Sequence, residues 1–310
     1  MQKKFYYKLR NCEETFEEKV IGFCIIKFLY SSLLARPILK IITGNQFISY
    51  LYGKLMNTKY SKRFIYRFIK KHDINITESK KDISEFIHFN DFFYRELKPF
   101  SRPIDHTMEA LLSPADGKIL ISVGTHLCCP PYETIKKISI KNNDYDICSL
   151  LQNKELSNKY ENCSIVIIRL APTDYHRFHF PCDGYAGETR VINGRYYSVS
   201  PIALSLYPKV FIENKRTLCE ITNEYIGSFI YMEVGATMVG SIKQTYTPNS
   251  FIKKGDEKGY FEFGGSTVVL LFPTDKIIFD SEILRNSENG NETKIAMGER
   301  IGTITRVDNV

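Results

Sequence analysis

Apolar residues follow two different patterns along the chain, and the pattern changes near residue 100. Residues 20–35 form the longest apolar stretch, which Lys27 interrupts, and a second stretch runs over residues 38–42 and ends at Gly44. The first stretch has 16 residues, fewer than the ~18–20 clean apolar residues that a spanning helix needs. The two stretches therefore predict two helices, either packed into a core or lying on a bilayer surface.

A basic amphipathic pattern follows at residues 60–72. Its apolar positions recur on one helix face, with Lys and Arg between them: Phe64, Ile65, Phe68 and Ile69. Such a helix suits either an anionic surface or a core with a solvated back. A further helix is predicted to begin with Asn90 as its N-cap and to run to Pro99.

From about residue 101, short β-rich runs alternate with glycine-containing turns. These runs lie at residues 118–123, 163–170, 185–191, 229–234, 267–272 and 276–279. Because strands and helices do not alternate regularly, a doubly wound parallel sheet is not expected. The sequence predicts an α+β fold, with a helical, basic region of residues 1–100 on a mostly antiparallel β-sheet domain of residues 101–310.

Composition excludes disordered and collagen-like proteins, since 43% of the 310 residues are hydrophobic and Gly and Pro number only 18 and 12. The net charge of +7 is distributed unevenly. Residues 1–100 contain 19 Lys and Arg against 10 Asp and Glu, whereas residues 101–310 contain 23 against 25. A basic surplus confined to the helical region indicates contact with nucleic acid or an anionic membrane, or a solvated face of the helices.

The eight cysteines include no CxxC pair. The adjacent Cys128 and Cys129 make a poor metal or disulfide framework, so buried free thiols in a reducing compartment are expected. Residues 1–7 lack the apolar core of a signal peptide, and the glutamates among residues 13–18 do not suit a transit peptide. Neither kind of targeting segment is expected.

A hydroxyl residue follows two glycines near the end of the chain. Gly264 and Gly265 permit a sharp bend directly before Ser266, which precedes an apolar strand. Taken alone, this sequence is most often a β-bulge or a tight hairpin. The alternative is a strained bend that presents the Ser266 hydroxyl.

Two histidines and one aspartate complete the candidate chemistry. His176 and His179 lie three residues apart, and each is either a hydrogen-bonded core residue or a general base. Their spacing, with no third ligand nearby, does not indicate a zinc site, and no metal is expected. Asp116 stands in an Asp-Gly turn ahead of a strand, where it either serves the turn or orients a histidine.

Eight short segments, taken in order, resemble one known family. They read NDFFYRELK (90–98), SRPID (101–105), SPADG (113–117), DYHRFH (174–179), YSVSPI (197–202), FIENKR (211–216), VGAT (234–237) and GGST (264–267). In this combination they resemble the pyruvoyl-dependent phosphatidylserine decarboxylases, and in particular the clostridial-type proenzymes. The resemblance covers most of the chain.

The chain departs from the family pattern at two positions. Gly264 replaces the usual leucine of Leu-Gly-Ser-Thr, which leaves the bond between Gly265 and Ser266 intact. Ser200 replaces the usual asparagine of Ser-Val-Asn-Pro, so a side-chain amide contact there is not expected. Neither change removes a residue that the chemistry requires.

The resemblance implies a self-processing enzyme. Asp116, His179 and Ser266 would form the processing triad, and Ser266 would attack the Gly265 carbonyl to cut the chain into residues 1–265 and 266–310. Ser266 would then become the covalent pyruvoyl cofactor, which forms a Schiff base with phosphatidylserine and releases CO2 to give phosphatidylethanolamine. His176 is the candidate for protonating the product carbon or positioning the substrate carboxylate.

The same resemblance implies the partners and the location. We expect phosphatidylserine in an anionic membrane and the chain's own small fragment as partners, and no nucleic acid. We also expect a peripheral position on the cytoplasmic side of the cell membrane, with the basic helical region of residues 1–100 as the membrane-docking region of the catalytic domain of residues 101–310. A higher oligomer and another serine phospholipid as substrate stay open. The alternative function is an uncleaved lipid- or nucleic-acid-binding protein on the same scaffold, against which the ordered presence of Asp116, His179 and Ser266 argues.

Overall fold

The computed structural model describes residues 4–44, 46–124, 137–140, 143–236 and 241–305. The helices in this part of the chain are α1 (Phe23–Ser31), α2 (Arg36–Gly44), α3 (Gln46–Met56), α4 (Arg63–His72), α5 (Phe89–Phe93), α6 (Ile147–Leu151), α7 (Lys154–Lys159), α8 (Pro201–Leu206), α9 (Val210–Glu213) and α10 (Ser281–Glu288). Short 3-10 turns span Lys59–Lys62, Ile76–Glu78 and Ile83–Glu85.

The strands are β1 (Tyr6–Lys8), β2 (Thr15–Glu17), β3 (Ala110–Leu112), β4 (Gly117–Ser122), β5 (Lys137–Ile140), β6 (Asn143–Asp146), β7 (Cys163–Leu170), β8 (Arg177–His179), β9 (Gly184–Ile192), β10 (Arg216–Asn223), β11 (Gly227–Gly235), β12 (Ile242–Gln244), β13 (Ser250–Ile252), β14 (Glu257–Phe261), β15 (Ser266–Pro273), β16 (Ile277–Phe279), β17 (Glu292–Ile295) and β18 (Arg300–Ile304). Every predicted β-rich run coincides with one of these strands.

One large sheet organises the molecule. Ten strands hydrogen-bond in the order β13-β9-β10-β11-β15-β7-β4-β17-β1-β2, and two three-stranded sheets have the orders β12-β14-β8 and β16-β18-β3. In the large sheet the described pairs are antiparallel, apart from the parallel pair of β1 and β17. The predicted α+β fold with a mostly antiparallel sheet is confirmed.

The central strands β7 and β15 are buried on both faces. Val268 and Leu270 of β15 pack into one apolar cluster, whereas Val269 and Leu271 pack into another on the opposite face. Side chains alternate between the two faces of a strand, so a strand covered on both sides needs a continuous apolar run. This requirement accounts for the unbroken hydrophobic sequence of β15.

A third apolar cluster joins the helical region to the sheet domain. Its buried members are Met56, Ile65, Phe86, Phe89, Phe92 and Phe93, with the inner face of α4 packed against them. Phe263, just before Ser266, inserts into this cluster with ring centroids 5.0 Å from Phe89 and 4.9 Å from Phe93. The aromatic residues of α5 therefore hold the segment that leads to Ser266.

The predicted helix at residues 90–99 is corrected by the structure. The N-cap of α5 is His88, whose Nδ1 accepts from the Asp91 backbone N–H at 3.0 Å, and the helix ends at Phe93. Asn90 is buried, donates to Asn57 Oδ1 at 2.9 Å and accepts from the Phe263 backbone N–H at 2.9 Å. Its side chain serves tertiary contacts, so it does not cap the helix.

The first strands of the chain were missed by the sequence analysis. β1 pairs with β17 and β2 pairs with β1, so residues before the helical segment extend one edge of the large sheet. Both strands are only three residues long, too short for a periodic signal. The division of the chain at residue 100 stays a prediction.

None of the helices among the described residues combines the length and the apolar character that crossing a membrane requires.

Candidate active site

The bend before Ser266 lies at the centre of the large sheet. Ser266 is the first residue of β15, between β11 and β7. Gly264 has a φ of 149°, a conformation that residues with a side chain rarely adopt. A Cβ on Gly265 would lie 3.0 Å from Val199 Cγ2. The backbone conformation therefore favours glycine at position 264, and the available space favours it at position 265.

Ser266 and Thr267 are fully buried, and neither hydroxyl has a hydrogen-bond partner among the described residues. Buried hydroxyl groups are normally hydrogen-bonded, so an unpartnered pair is unusual. The Ser266 Oγ directly follows the Gly265 carbonyl in the chain. This arrangement leaves the Ser266 hydroxyl available to react.

His176 is fully buried just before β8. Its Nδ1 donates to the Asp174 backbone oxygen at 2.9 Å, and its ring lies 3.9 Å from that of Phe93 between centroids. Its Nε2 has no partner in the described part of the chain. Burial lowers the pKa of His176 to about 4. Near neutral pH the ring is therefore uncharged, with a free lone pair on Nε2, which is the form of a general base.

His179 lies at the end of β8 and has both ring nitrogens engaged. Its Nδ1 donates to the Gly255 backbone oxygen at 3.0 Å, and its Nε2 accepts from the Tyr175 hydroxyl at 3.1 Å. Burial lowers the pKa of His179 and raises that of Tyr175. The basic nitrogen of His179 is thus unprotonated, but it contacts Tyr175 in this structure.

Asp116 directly precedes β4 and is 5% exposed. Arg102 donates to it through Nε, 2.9 Å from Oδ1, and through Nη2, 2.7 Å from Oδ2. The backbone N–H of Met297 also donates to Oδ1 at 2.8 Å. The carboxylate is therefore held by an arginine and a backbone amide.

The topology brings the elements that bear these residues to one end of β7. Strands β4 and β15 flank β7 and begin beside its last residues, and the loop that leaves β7 leads to His176 and His179. No hydrogen bond joins any two of Asp116, His179 and Ser266 among the described contacts. Their grouping as a processing triad stays a prediction.

A cavity of about 580 Å³ opens beside Gly264 and Gly265. Its apolar wall comes from α1 and α2 and consists of Ile26, Leu29, Tyr30, Leu39 and Ile42. Its ionic wall comes from the large sheet and the segments next to it, and includes Glu18, Lys118, Arg169, Asp174 and Lys294. Further charged residues line the cavity as well, among them Lys19 and Lys71. The cavity thus has an apolar side and an ionic side that meet at the predicted cleavage segment.

The ionic side is a set of paired charges. Lys294 Nζ lies 2.5 Å from Asp174 Oδ1, and Lys118 lies 3.3 Å from Glu18. Burial alone would raise the pKa of Asp174, but Lys294 and Lys118 hold it well below its usual range. The Lys294 side chain is 35% exposed, against 6% for Lys118. Of these two lysines, Lys294 is the one that a molecule in the cavity can reach.

Several of these residues were missed by the sequence analysis. Arg102, Asp174 and Tyr175 stand inside segments that suggested the family, but nothing in their local sequence marked a role. Lys294 lies outside those segments, between buried residues of β17. Its pairing with Asp174 joins residues 120 positions apart, so no short-range pattern reveals it.

The structure also bears on the cysteines. The six described cysteines are free thiols, and the predicted burial is found for Cys163, Cys182 and Cys219. The prediction of burial is wrong for Cys24 and Cys148, which are exposed, and Cys12 is partly exposed. Cys128, Cys129 and Thr237 of the VGAT segment lie outside the described residues. Within the described ranges no cluster of three or more His, Cys, Asp or Glu side chains could hold a metal ion.

Comparison with known proteins gives concordant matches over nearly the whole chain. The family model described as phosphatidylserine decarboxylase matches residues 89–303. A phosphatidylserine decarboxylase proenzyme of Clostridium novyi is 45% identical over 289 residues, covering 92% of this chain and 95% of the relative. Proenzymes of the same name from Fusobacterium nucleatum and Chlamydia muridarum are 42% and 40% identical, each over 96% of this chain and 97% of the relative.

Proposed function

Because the chain belongs to the phosphatidylserine decarboxylase family and is therefore a carboxy-lyase, we propose that it matures by cutting itself between Gly265 and Ser266. Its reaction is the removal of CO2 from phosphatidylserine to leave phosphatidylethanolamine. The observation that best supports self-cleavage is the buried, unpartnered Ser266 hydroxyl behind the Gly264 bend.

Self-cleavage begins when the Ser266 Oγ attacks the carbonyl carbon of Gly265. The C–N bond between the two residues breaks, an ester replaces the amide, and the Ser266 nitrogen becomes an amine. Removal of the Ser266 α-proton then breaks the bond between Cβ and Oγ, which releases residues 1–265 with a terminal carboxylate. The dehydroalanine left at position 266 takes up water and loses ammonia, which gives the pyruvoyl group.

His179 is the proposed base for the Ser266 hydroxyl proton, with Asp116 stabilising the charged imidazole. The neutral state and basic Nε2 of His179 support this role, although Tyr175 must release that nitrogen. His176, with its free Nε2, is the alternative base for the same step.

The residues around position 266 fit the pyruvoyl group. It would occupy a site where the Thr267 hydroxyl is an unused donor and where glycine leaves space beside Val199. This group supplies an acceptor for the electron pair that stays on the substrate when CO2 leaves. His176 Nε2 would take the proton of the substrate ammonium and return it to the product carbon, because its low pKa leaves it unprotonated near neutral pH.

The cavity beside Gly265 is the proposed substrate site. Its apolar wall on α1 and α2 suits the upper parts of acyl chains, and its ionic wall suits a charged headgroup. Lys294 is more exposed than Lys118 and lies in the ionic wall next to Asp174, and it is therefore the proposed contact of the phosphodiester. The substrate ammonium is then directed to position 266.

The helices that form the apolar wall, together with the turn between them, also present apolar side chains to solvent. The outward side chains are Ile25, Phe28, Leu33, Leu34, Ile38 and Ile41, each at least half exposed. Exposed apolar side chains on neighbouring elements suit an interface with lipid, and the basic α4 adds attraction to anionic headgroups. We propose peripheral docking through this surface on the cytoplasmic side of the cell membrane, next to the cavity entrance.

A gel and a mass spectrum test the proposed maturation. Purified wild-type protein should separate on denaturing gels into fragments of residues 1–265 and 266–310, and the small fragment should lack a free amine at its N-terminus. Ser266→Ala should remain one chain of 310 residues. Ser281→Ala is the matched control, since this serine is exposed at the start of α10, and it should cleave normally. An active wild-type enzyme that stays uncut would overturn the proposal.

A further inference from the structure

Arg102 connects the proposed catalytic aspartate to the helical region. It lies in the SRPID segment between α5 and β3, to which the sequence analysis assigned no role. We infer that Arg102 is a positioning residue for Asp116 in self-cleavage, and that Glu78 holds Arg102 in place. This inference rests on the proposed function, because it assumes that Asp116 takes part in processing.

The contact between Arg102 and Asp116 has the geometry of a two-point clamp. Nε and Nη2 each donate to a different carboxylate oxygen, at 2.9 Å to Oδ1 and 2.7 Å to Oδ2. The Met297 backbone N–H donates to Oδ1 from another direction. Parallel bonds from a planar guanidinium fix the plane of a carboxylate, which a single lysine ammonium cannot do. Asp116 is thereby held in one orientation beside β4.

The third guanidinium nitrogen of Arg102, Nη1, is also hydrogen-bonded. Nη1 donates to Glu78 Oε2 at 2.9 Å and to the Ser101 backbone oxygen at 2.7 Å. Burial alone would lower the pKa of Arg102, but its hydrogen bonds and charge interactions with Asp116 and Glu78 raise it above its ordinary value. All three nitrogens of a permanently charged side chain are therefore committed. Glu78 belongs to the 3-10 turn that follows α4, so the helical region contributes to the orientation of Asp116.

This arrangement has a consequence for the pH dependence of processing. Apart from Arg102, the charges that favour an ionised Asp116 come from Arg95 and Lys294, which make no hydrogen bond to it among the described contacts, and from the Met297 N–H. These contacts compensate a buried carboxylate less than a paired guanidinium does, so loss of Arg102 should let Asp116 take up a proton at higher pH. A protonated Asp116 can no longer stabilise an imidazolium. The rate of self-cleavage should fall as the pH is lowered, and we call this fall the acid limb of the plot of rate against pH. Loss of Arg102 should therefore move the acid limb to higher pH. A merely structural role would lower stability without moving that limb.

The test follows cleavage of the full chain made by cell-free translation, by the appearance of the 45-residue fragment (residues 266–310) across roughly pH 5–9. Arg102→Gln should slow cleavage at neutral pH about tenfold or more and raise the acid limb by about one pH unit. Arg102→Lys should give an intermediate shift, and Glu78→Gln a smaller one. Arg10→Gln is the matched control, since Arg10 pairs with Asp280 at 2.6 Å at another place, and it should behave as wild type.

The outcomes separate this inference from the proposed function. If wild-type chain does not cleave, the proposed function is wrong. If wild type cleaves and a folded Arg102→Gln variant has the same rate and acid limb, the inference is wrong. If Arg102→Gln does not fold, Arg102→Lys and Glu78→Gln decide, and an unshifted acid limb in both variants contradicts the inference.

Discussion

At the scale of single residues, His176 and His179 differ more than their spacing suggests. Both are buried, and burial lowers the pKa of each. His179 has hydrogen bonds at both nitrogens, whereas His176 keeps Nε2 free among the described contacts. Two neighbouring histidines with different partners suit two different steps of one reaction.

We predict that His179→Ala stays uncut and that His176→Ala is cut but decarboxylates poorly. Loss of a general base or acid costs about 10²–10⁴-fold in rate, so the decarboxylation rate of His176→Ala should fall by that amount. Denaturing gels report cleavage, and CO2 release from phosphatidylserine reports activity. The reverse result, with His179→Ala cut and His176→Ala uncut, would make His176 the processing base.

Lys294→Gln should mature normally but bind phosphatidylserine less well. Loss of one charge-assisted hydrogen bond costs about 1.5–3 kcal/mol of binding free energy. This loss should lower kcat/KM roughly 10- to 100-fold, mainly because KM rises. A serine ester without the phosphodiester should be affected much less. Lys243→Gln, at an exposed position in β12, is the control. An equal loss for both substrates would contradict phosphodiester recognition by Lys294.

At the scale of elements, α4 divides its residues between packing and solvent. Ile65 is buried and Phe64, Phe68 and Ile69 are partly buried against the aromatic cluster, while Arg67 and Lys70 are exposed. Arg63 stacks on the Tyr60 ring at 3.3 Å. The predicted amphipathic helix is confirmed, and its inner face packs into the protein core. Its outer face is free to meet an anionic surface.

Charge reversal on this outer face should weaken vesicle binding. Arg67→Glu with Lys70→Glu should lower partitioning onto vesicles that contain anionic lipid, since each basic residue near such a surface contributes about 1 kcal/mol. These two positions are chosen because both side chains are exposed, whereas Arg63 stacks on Tyr60. Lys154→Glu with Lys243→Glu is the matched control with the same change in net charge. If vesicle binding changes neither with the α4 charge reversal nor with salt, the prediction is wrong. The basic residues of α4 would then simply form a solvated helix face.

At the scale of the whole molecule, the proposed small fragment is interleaved with the large one. β15 lies between β11 and β7, and β17 lies between β4 and β1. Val268, Leu270 and Phe272 of β15 are fully buried. Fully burying a side chain of this size contributes about 1.5–3 kcal/mol, so separation of the fragments would expose a large part of the core.

The two fragments should therefore co-purify after cleavage. Size-exclusion chromatography in native buffer should give one species that contains both, and only denaturant should separate them. Unfolding monitored by near-UV CD should coincide with fragment release, because both report the same core. Release of the small fragment from a still-folded large fragment would contradict this prediction.

The sequence by itself determined the local features of this protein. Runs of β-branched and apolar residues marked the strands from 163–170 to 276–279, helical spacing marked α4, and Gly264 marked the bend, because each depends on backbone sterics or on short periodicity. The order of short segments was enough to suggest the family.

Only the tertiary structure decided the partners of the chemical groups. In the structure Asp116 is hydrogen-bonded to Arg102 and not to a histidine, and Lys294 forms an ion pair with Asp174. Asn90, the predicted N-cap, instead accepts a hydrogen bond from the backbone of Phe263. Such contacts join residues far apart in the chain, and their strength comes from burial and from the exclusion of water. Local patterns contain no information on which distant charge will face a buried one.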